Sequence, residues 1–259
     1  MSDDHLLSDE QVLDFVVNGF HVVRPTLPNE FHDDVYRRLE PHFGTAVLDK
    51  VPSVAAVYDD PAVQGAVVSL LGVNARLNAH HNLHVSGPVS QYWHQDSRNR
   101  RHHQLWRLFA MYYPQTVTAE MGPTVIVPGS YLRNAPTDAL ATYGNISGQV
   151  ALTVPAGSVV LAHFDIWHAG SANRSSTTRY MVKLLFDRVS RPTAPSWRTD
   201  PAKAAELAAR RLNEGMAVRC SPSDKIKERL LRFQLWNYLR EGRDRDSSGA
   251  YDVQPPPVG

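Results

Sequence analysis

The sequence predicts a mainly β core, of sandwich, jelly-roll or barrel type, with helices before and after it. Six strand-like segments carry the first part of that expectation, at 75–85, 104–113, 123–128, 149–154, 157–163 and 179–187. They are separated by Gly, Pro, Ser and Asn turns with no helical period between them, so a parallel α/β sheet is disfavoured. The flanks, about 8–72 and 200–241, carry apolar residues at helical spacing. No repeat and no linker-like stretch interrupts the 259 residues, so one domain spanning 1–259 is expected.

The elements follow in order. Ser8 and Gln11 form a capping-box pattern ahead of Val12, Leu13, Phe15 and Val16, and Gly19 stands where that helix stops. Phe31, Val35 and Leu39 recur every four residues and predict a second helix. Asp60 as cap, Pro61 at the first helical position and Gly72 as stop bracket a third, with Val63, Val67, Leu70 and Leu71 facing inward. After the strands, Asp200 with Pro201 starts one helix. Ser221, Pro222 and Asp224 start another carrying Ile226, Leu230, Phe233 and Leu239. The polar, proline-rich tail 247–259 is expected to be disordered.

Composition narrows the function. Apolar residues make up 42%, charged residues 20%, and the net charge is +1, which disfavours a nucleic-acid binder that must neutralise phosphates. No apolar run is long enough to span a bilayer, so no membrane partner is expected. The acidic start MSDDHLLSDE lacks the basic and apolar regions of a secretory signal, and one cysteine, Cys220, suits a reducing compartment; cytoplasm is expected.

Eight of the 12 histidines fall between His80 and His168, inside the strand region. In "YWHQD", His94 and Asp96 are two residues apart, a spacing that puts both on one side of a strand. His168 in "DIWHAGS", at the end of a strand expected over 157–167, is the best third partner. Two histidines and a carboxylate on one face of a metal leave open positions, as in non-haem Fe(II) oxygenases, and zinc hydrolases use similar sets. His163 and Asp165 form a second His-x-Asp pair, read as a supporting group inside the barrel. His80 and His84 share a strand face with Asn78 and Asn82, a polar face suited to lining a pocket. Arg179, eleven residues after His168, can fork onto a dicarboxylate, or can be a surface arginine at a strand mouth.

"YWHQD", "AEMGPTVIVPGSYL" and "WHAGSANRSSTTRY", in this order and spacing, resemble the phytanoyl-CoA dioxygenase family of Fe(II)- and 2-oxoglutarate-dependent oxygenases. "LSDEQVLDFVVNGFHVV" looks like that family's N-terminal helix and strand, and the resemblance covers roughly 8–188. It implies a double-stranded β-helix (jelly roll, cupin-like), with His94, Asp96 and His168 ligating iron and Arg179 anchoring the 5-carboxylate of 2-oxoglutarate. It further suggests Asn78, Thr124 and Ser171 as co-substrate pocket residues. Two positions depart from the family pattern: Tyr131 replaces a histidine after Pro-Gly-Ser, and Met121 replaces an asparagine before Gly-Pro. Neither is in the ligand set. A carboxylate at 96 points away from halogenation, for which related enzymes carry a small residue there.

The implied reaction consumes O2 and 2-oxoglutarate, releases succinate and CO2, and oxidises a C–H bond of a small molecule. Hydroxylation is the default; desaturation, epimerisation and cyclisation stay open. Arg98, Arg100, Arg101, His102 and His103 directly follow the ligand pair and either attract an anionic group on the substrate or form a solvated basic loop. Trp93, Trp106, Tyr112 and Tyr113 either pack on a substrate or belong to the core. The competing readings are a cupin-like hydrolase or isomerase using the same triad without 2-oxoglutarate, and a non-catalytic binding protein on the same scaffold. Oligomeric state is open, with the helix bearing Phe233, Leu235, Trp236 and Leu239 a candidate packing surface.

Overall fold

A computed structural model describes residues 3–45, 47–96, 104–133, 135–214 and 221–242. The basic segment Arg98–His103, Cys220 and the tail 247–259 lie outside the described residues.

Helix α1 (Asp9–Asn18) begins at the expected capping box. The Ser8 hydroxyl accepts from Gln11 N, the Gln11 side chain accepts from Ser8 N, and Gly19 ends the helix in the left-handed region. It leads into strand β1 (Phe20–Val23), followed by helices α2 (Asn29–Arg38), α3 (Val47–Lys50), α4 (Ala55–Asp59) and α5 (Pro61–Leu71). The α5 cap is the Asp60 carboxylate, which accepts from Ala62 N and also from the backbone and hydroxyl of Thr26.

The core strands are β2 (Arg76–Val85), β3 (Arg107–Tyr113), β4 (Thr124–Ile126), β5 (Val150–Ala151), β6 (Ser158–His163), β7 (His168–Gly170) and β8 (Tyr180–Asp187), with the single-turn helix α6 (Thr137–Leu140) between β4 and β5. Five form one antiparallel sheet in the order β1-β6-β3-β8-β2, and three form a second, β5-β4-β7. This is the double-sheet jelly-roll arrangement that irregularly spaced strands predicted. β6 and β8 are buried at every position, which explains their continuous apolar runs. Tyr58 of α4 donates its hydroxyl to backbone carbonyls of Ala110 and Val182, fastening the helical layer to β3 and β8. Among the described residues no helix is long and apolar enough to cross a membrane.

Four expectations need correction. The strand expected over 157–163 ends at His163, but His168 does not stand at the end of an extension of it to 167; it begins its own strand in the other sheet. "YWHQD" is not a regular strand; only His94 makes a bridge, to His168. The helix expected from Asp200 and Pro201 starts at Ala204 (α7, Ala204–Arg211), after a turn in which the Asp200 carboxylate accepts from Ala202 N. In α8 (Pro222–Glu241) Leu235, Trp236 and Leu239 are buried, whereas Ile226 and Leu230 are exposed, because only the C-terminal half of this helix lies on the core. Its expected cap holds: the Ser221 hydroxyl accepts from Asp224 N.

Tyr131 has a clear role. It is fully buried, donates its hydroxyl to Val16 O and stacks on His163 with ring centroids 4.3 Å apart. A Cβ on Gly19 would come within 2.6 Å of its ring, so the α1 stop and the Pro-Gly-Ser turn are packed against each other.

Candidate active site

His94 and His168 face each other across the bridge between the 91–96 segment and β7. Each backbone N–H donates to the other's carbonyl at 3.1 Å, and the rings lie 4.2 Å apart. Strand alternation then separates the neighbours. Trp93 turns to the opposite side, buried in a small cluster with Val125, Val127, Leu140 and Ala169, and its indole donates to Gly144 O.

The two imidazoles are oriented alike. His94 Nδ1 lies 3.0 Å from Tyr92 O, and His168 Nδ1 lies 3.0 Å from Ile166 O. A carbonyl can only accept, so each Nδ1 carries the proton and each Nε2 keeps its lone pair. Both Nε2 atoms lie near the same carboxylate oxygen. Asp96 Oδ1 is 3.4 Å from His94 Nε2 and 3.7 Å from His168 Nε2, and one atom from each of the three residues lies within 4.8 Å of the others. Neutral imidazoles and a carboxylate fit a divalent cation with nitrogen and oxygen preference.

The electrostatics fit as well. Burial, with the nearby His94, pushes the pKa of His168 down to about 4, so the ring is neutral near pH 7. Burial raises the Asp96 pKa, but His168, Lys183 and His94 outweigh it and leave it below the ordinary value.

A pocket opens beside this triad, between the two sheets. Its wall includes His84, Met111, Thr124, Ser171, Arg179 and Lys183. Arg179 is 3% exposed and immediately precedes β8, an interior strand of its sheet, so the alternative of a surface arginine does not describe it. Its Nε and Nη2 donate to Gly122 O at 3.1 and 2.9 Å, while Nη1 is buried with no partner among the described residues. Gly122 is suited to that contact: at φ +68° it packs so closely on the 171–173 backbone that a Cβ would sit 2.5 Å from Ser171 O. A buried guanidinium with a spare donor in a pocket is costly unless an acceptor arrives, and a carboxylate is the natural one. Thr124 sits on the same wall, its hydroxyl accepting from Tyr113 at 3.0 Å. Ser171 is there too, held by its N–H to Pro123 O.

Other residues singled out from the sequence lie elsewhere. Asn78 is not at the pocket; its amide donates to Asp187 Oδ2 and its oxygen accepts from His80 N. The cause is a bulge in which residues 78–80 of β2 stand opposite a single residue of β8, diverting Asn78 from the expected alternation. His163 has both nitrogens engaged, with Nδ1 accepting from Asp165 N and Nε2 facing Gln104 O, so it supports the fold beneath the site. Trp106 donates to Gln104, and Tyr112 is buried against His32, so both belong to the packing. Lys183, which sequence reasoning passed over, enters the pocket wall and pairs with Asp96 at 3.2 Å.

His84 Nε2 is buried with no partner among the described residues, and burial next to Lys183 and Arg179 lowers its pKa to about 3. In the unfolded chain the same imidazole titrates near the ordinary value of about 6.5. A group depressed on folding contributes stability that is complete above about pH 6.5 and is lost as pH falls toward its folded value. The metal-free protein is therefore expected to show a melting temperature that drops between pH 6.5 and 4, with His168 adding to the slope. His84→Gln should flatten that slope, measured by calorimetry; an unchanged slope would contradict the assignment.

Comparison with known proteins adds three findings. The family model for phytanoyl-CoA dioxygenase (PhyH) matches residues 14–181. No curated protein matches the sequence. Among solved structures, HygX from Streptomyces hygroscopicus with nickel and 2-oxoglutarate bound is 17% identical, with a TM-score of 0.59 over 78% of this chain and 94% of that one. The non-haem α-ketoglutarate-dependent carbocyclase SnoK from nogalamycin biosynthesis is 18% identical, with a TM-score of 0.56 over 85% and 96%. The epimerase SnoN of the same biosynthesis is 16% identical, with a TM-score of 0.54 over 70% and 83%. At these identities the likeness is one of fold.

Proposed function

The chain belongs to the phytanoyl-CoA dioxygenase family, and on that premise we propose that it hydroxylates an unactivated C–H bond of a small molecule, with 2-oxoglutarate and O2 as co-substrates. It is an enzyme of the 2-oxoglutarate-dependent non-haem iron class. The observation that carries the finer reading is the pairing of two elements at one cavity: the His94–Asp96–His168 triad, and an Arg179 Nη1 with no partner among the described residues.

In this reading His94 Nε2, Asp96 Oδ1 and His168 Nε2 would hold Fe(II). Iron bound there would supply O2 activation, with 2-oxoglutarate as the reductant and one oxygen atom going to the product and one to succinate, alongside CO2. The chain's own residues do the rest. The carbonyls of Tyr92 and Ile166 keep both imidazoles in the metal-binding tautomer. Arg179, steadied by Gly122 O, receives the distal carboxylate of 2-oxoglutarate, with Thr124 and Ser171 on the flank. Arg179 is buried, which strengthens its contact with a carboxylate. Hydroxylation asks for nothing beyond this machinery. The fold neighbours described as an epimerase and a carbocyclase make those outcomes the alternatives to test.

A hydrolase or isomerase working without 2-oxoglutarate would leave Arg179 Nη1 buried and unsatisfied, which disfavours it. The single cysteine suits a cytoplasmic setting for the enzyme. The test is an anaerobic titration of the protein with Fe(II) and then 2-oxoglutarate. A visible charge-transfer band is expected, followed by succinate release when O2 and a substrate are admitted from a metabolite panel. Fe(II) binding with no change on adding 2-oxoglutarate would sink the co-substrate assignment.

A further inference from the structure

Lys183 stands four residues beyond Arg179 on β8, and the reaction just outlined makes no use of it. Its side chain is 8% exposed, and a lysine so deeply placed needs a partner for its charge. Among the described residues two contacts hold its ammonium. Nζ lies 3.2 Å from Asp96 Oδ2, and it sits over the Phe109 ring, 4.6 Å from the centroid. Phe109 in turn makes an edge contact with the His168 ring at 5.3 Å. One aromatic ring thus places both a triad histidine and the ammonium that meets the triad carboxylate.

The two oxygens of Asp96 are divided between different partners. Oδ1 is the atom close to both histidine Nε2 atoms, and Oδ2 is the atom taken by Lys183. A carboxylate on a partly exposed segment is otherwise free to rotate and to offer both oxygens to a cation. We propose that Lys183 is a positioning residue that holds Asp96 Oδ2 and so presents Oδ1 alone to the metal. The inference rests on the metal reading of His94, Asp96 and His168. Its consequence is an additional open position at the metal, compared with a carboxylate bound through both oxygens. A co-substrate that chelates through two atoms needs that room, since O2 must bind as well.

A direct role in binding 2-oxoglutarate is the competing account, because Lys183 also faces the pocket. The two differ in what happens before any co-substrate is present. Full-length protein is therefore loaded with Co(II), and its visible d–d spectrum is recorded without and then with 2-oxoglutarate. Lys183→Met, which keeps the length and the packing on Phe109, should change the spectrum of the Co(II) protein on its own. It should also weaken 2-oxoglutarate binding about tenfold, the scale on which outer partners of metal ligands act. Lys183→Arg, which keeps a charged donor, should restore both. Should Lys183→Met fail to fold, Lys183→Leu, which likewise removes the donor, carries the same comparison.

An unaltered Co(II) spectrum together with unaltered 2-oxoglutarate affinity would overturn the proposal. So would weaker 2-oxoglutarate binding with no change in the Co(II)-only spectrum, which would make Lys183 a co-substrate contact. Wild-type protein that takes up no Co(II) would instead overturn the metal reading, and Lys183's role with it.

Discussion

Asp96→Ala is expected to remove metal binding and turnover while leaving the fold in place. The residue lies on an irregular segment, and among the described residues its carboxylate meets the polar groups of His94, His168 and Lys183 rather than the apolar core. Even an outer partner of a metal ligand is worth about 10–100-fold in affinity, so losing one of three ligands should cost roughly 100-fold or more. Part of the cost is electrostatic. Without the carboxylate, the Lys183 ammonium faces the cation with nothing between them, and two like charges in a half-buried site repel. Isothermal titration with Co(II) measures the affinity, and circular dichroism with a melting curve checks the fold. A variant that still binds the metal tightly and releases succinate would place the reaction centre elsewhere in the molecule.

Asp96 and His94 were legible because their signal is local: two residues apart, they share a side of an extended segment wherever that segment goes. The same locality made the caps at Ser8, Asp60 and Ser221 readable, since each is decided by atoms within three residues. His168 was found as a residue but placed on the wrong element. Its strand has only three residues and exists because Thr124–Ile126 pairs with it on one side and His94 bridges it on the other, contacts that no periodicity encodes. Asn78 was misplaced for a related reason. Alternation along β2 assumes an unbroken ladder, and the bulge at 78–80 is set by how β8 lies alongside.

Lys183 did leave a signal. In RYMVKLLF it is a charge inside an apolar run, on a strand buried on both faces, two positions from Met181 and four from Arg179. A charged side chain in such a place must meet a counter-charge or a cavity, and here it meets both. What the sequence does not carry is the identity of that partner. Asp96 is 87 residues away, and the two meet only through the closure of the sheets.

Arg179 offers the second large effect, and one that separates the co-substrate from the metal. Arg179→Gln is expected to leave Co(II) affinity unchanged, because the guanidinium touches Gly122 O and none of the three triad residues. Binding of 2-oxoglutarate should fall by about 100-fold or more. A charged hydrogen bond is worth roughly 1.5–3 kcal/mol, and a fork makes two; each 1.4 kcal/mol is about tenfold. Arg179→Lys should recover only part of the loss, since an ammonium lacks the rigid planar fork that meets both carboxylate oxygens side by side while also holding Gly122 O. Affinity alone does not prove the contact, because any disturbance of the pocket weakens a ligand. Comparison with 2-oxobutyrate, which has the same 2-oxo acid head and no distal carboxylate, supplies the missing control. Wild-type protein should prefer 2-oxoglutarate strongly, and Arg179→Gln should bind the two acids almost alike, so that removing both the arginine and the carboxylate costs little more than removing either. If 2-oxobutyrate loses as much affinity as 2-oxoglutarate in the variant, Arg179 shapes the pocket without touching the carboxylate, and the anchor must be sought among the other donors of the same wall.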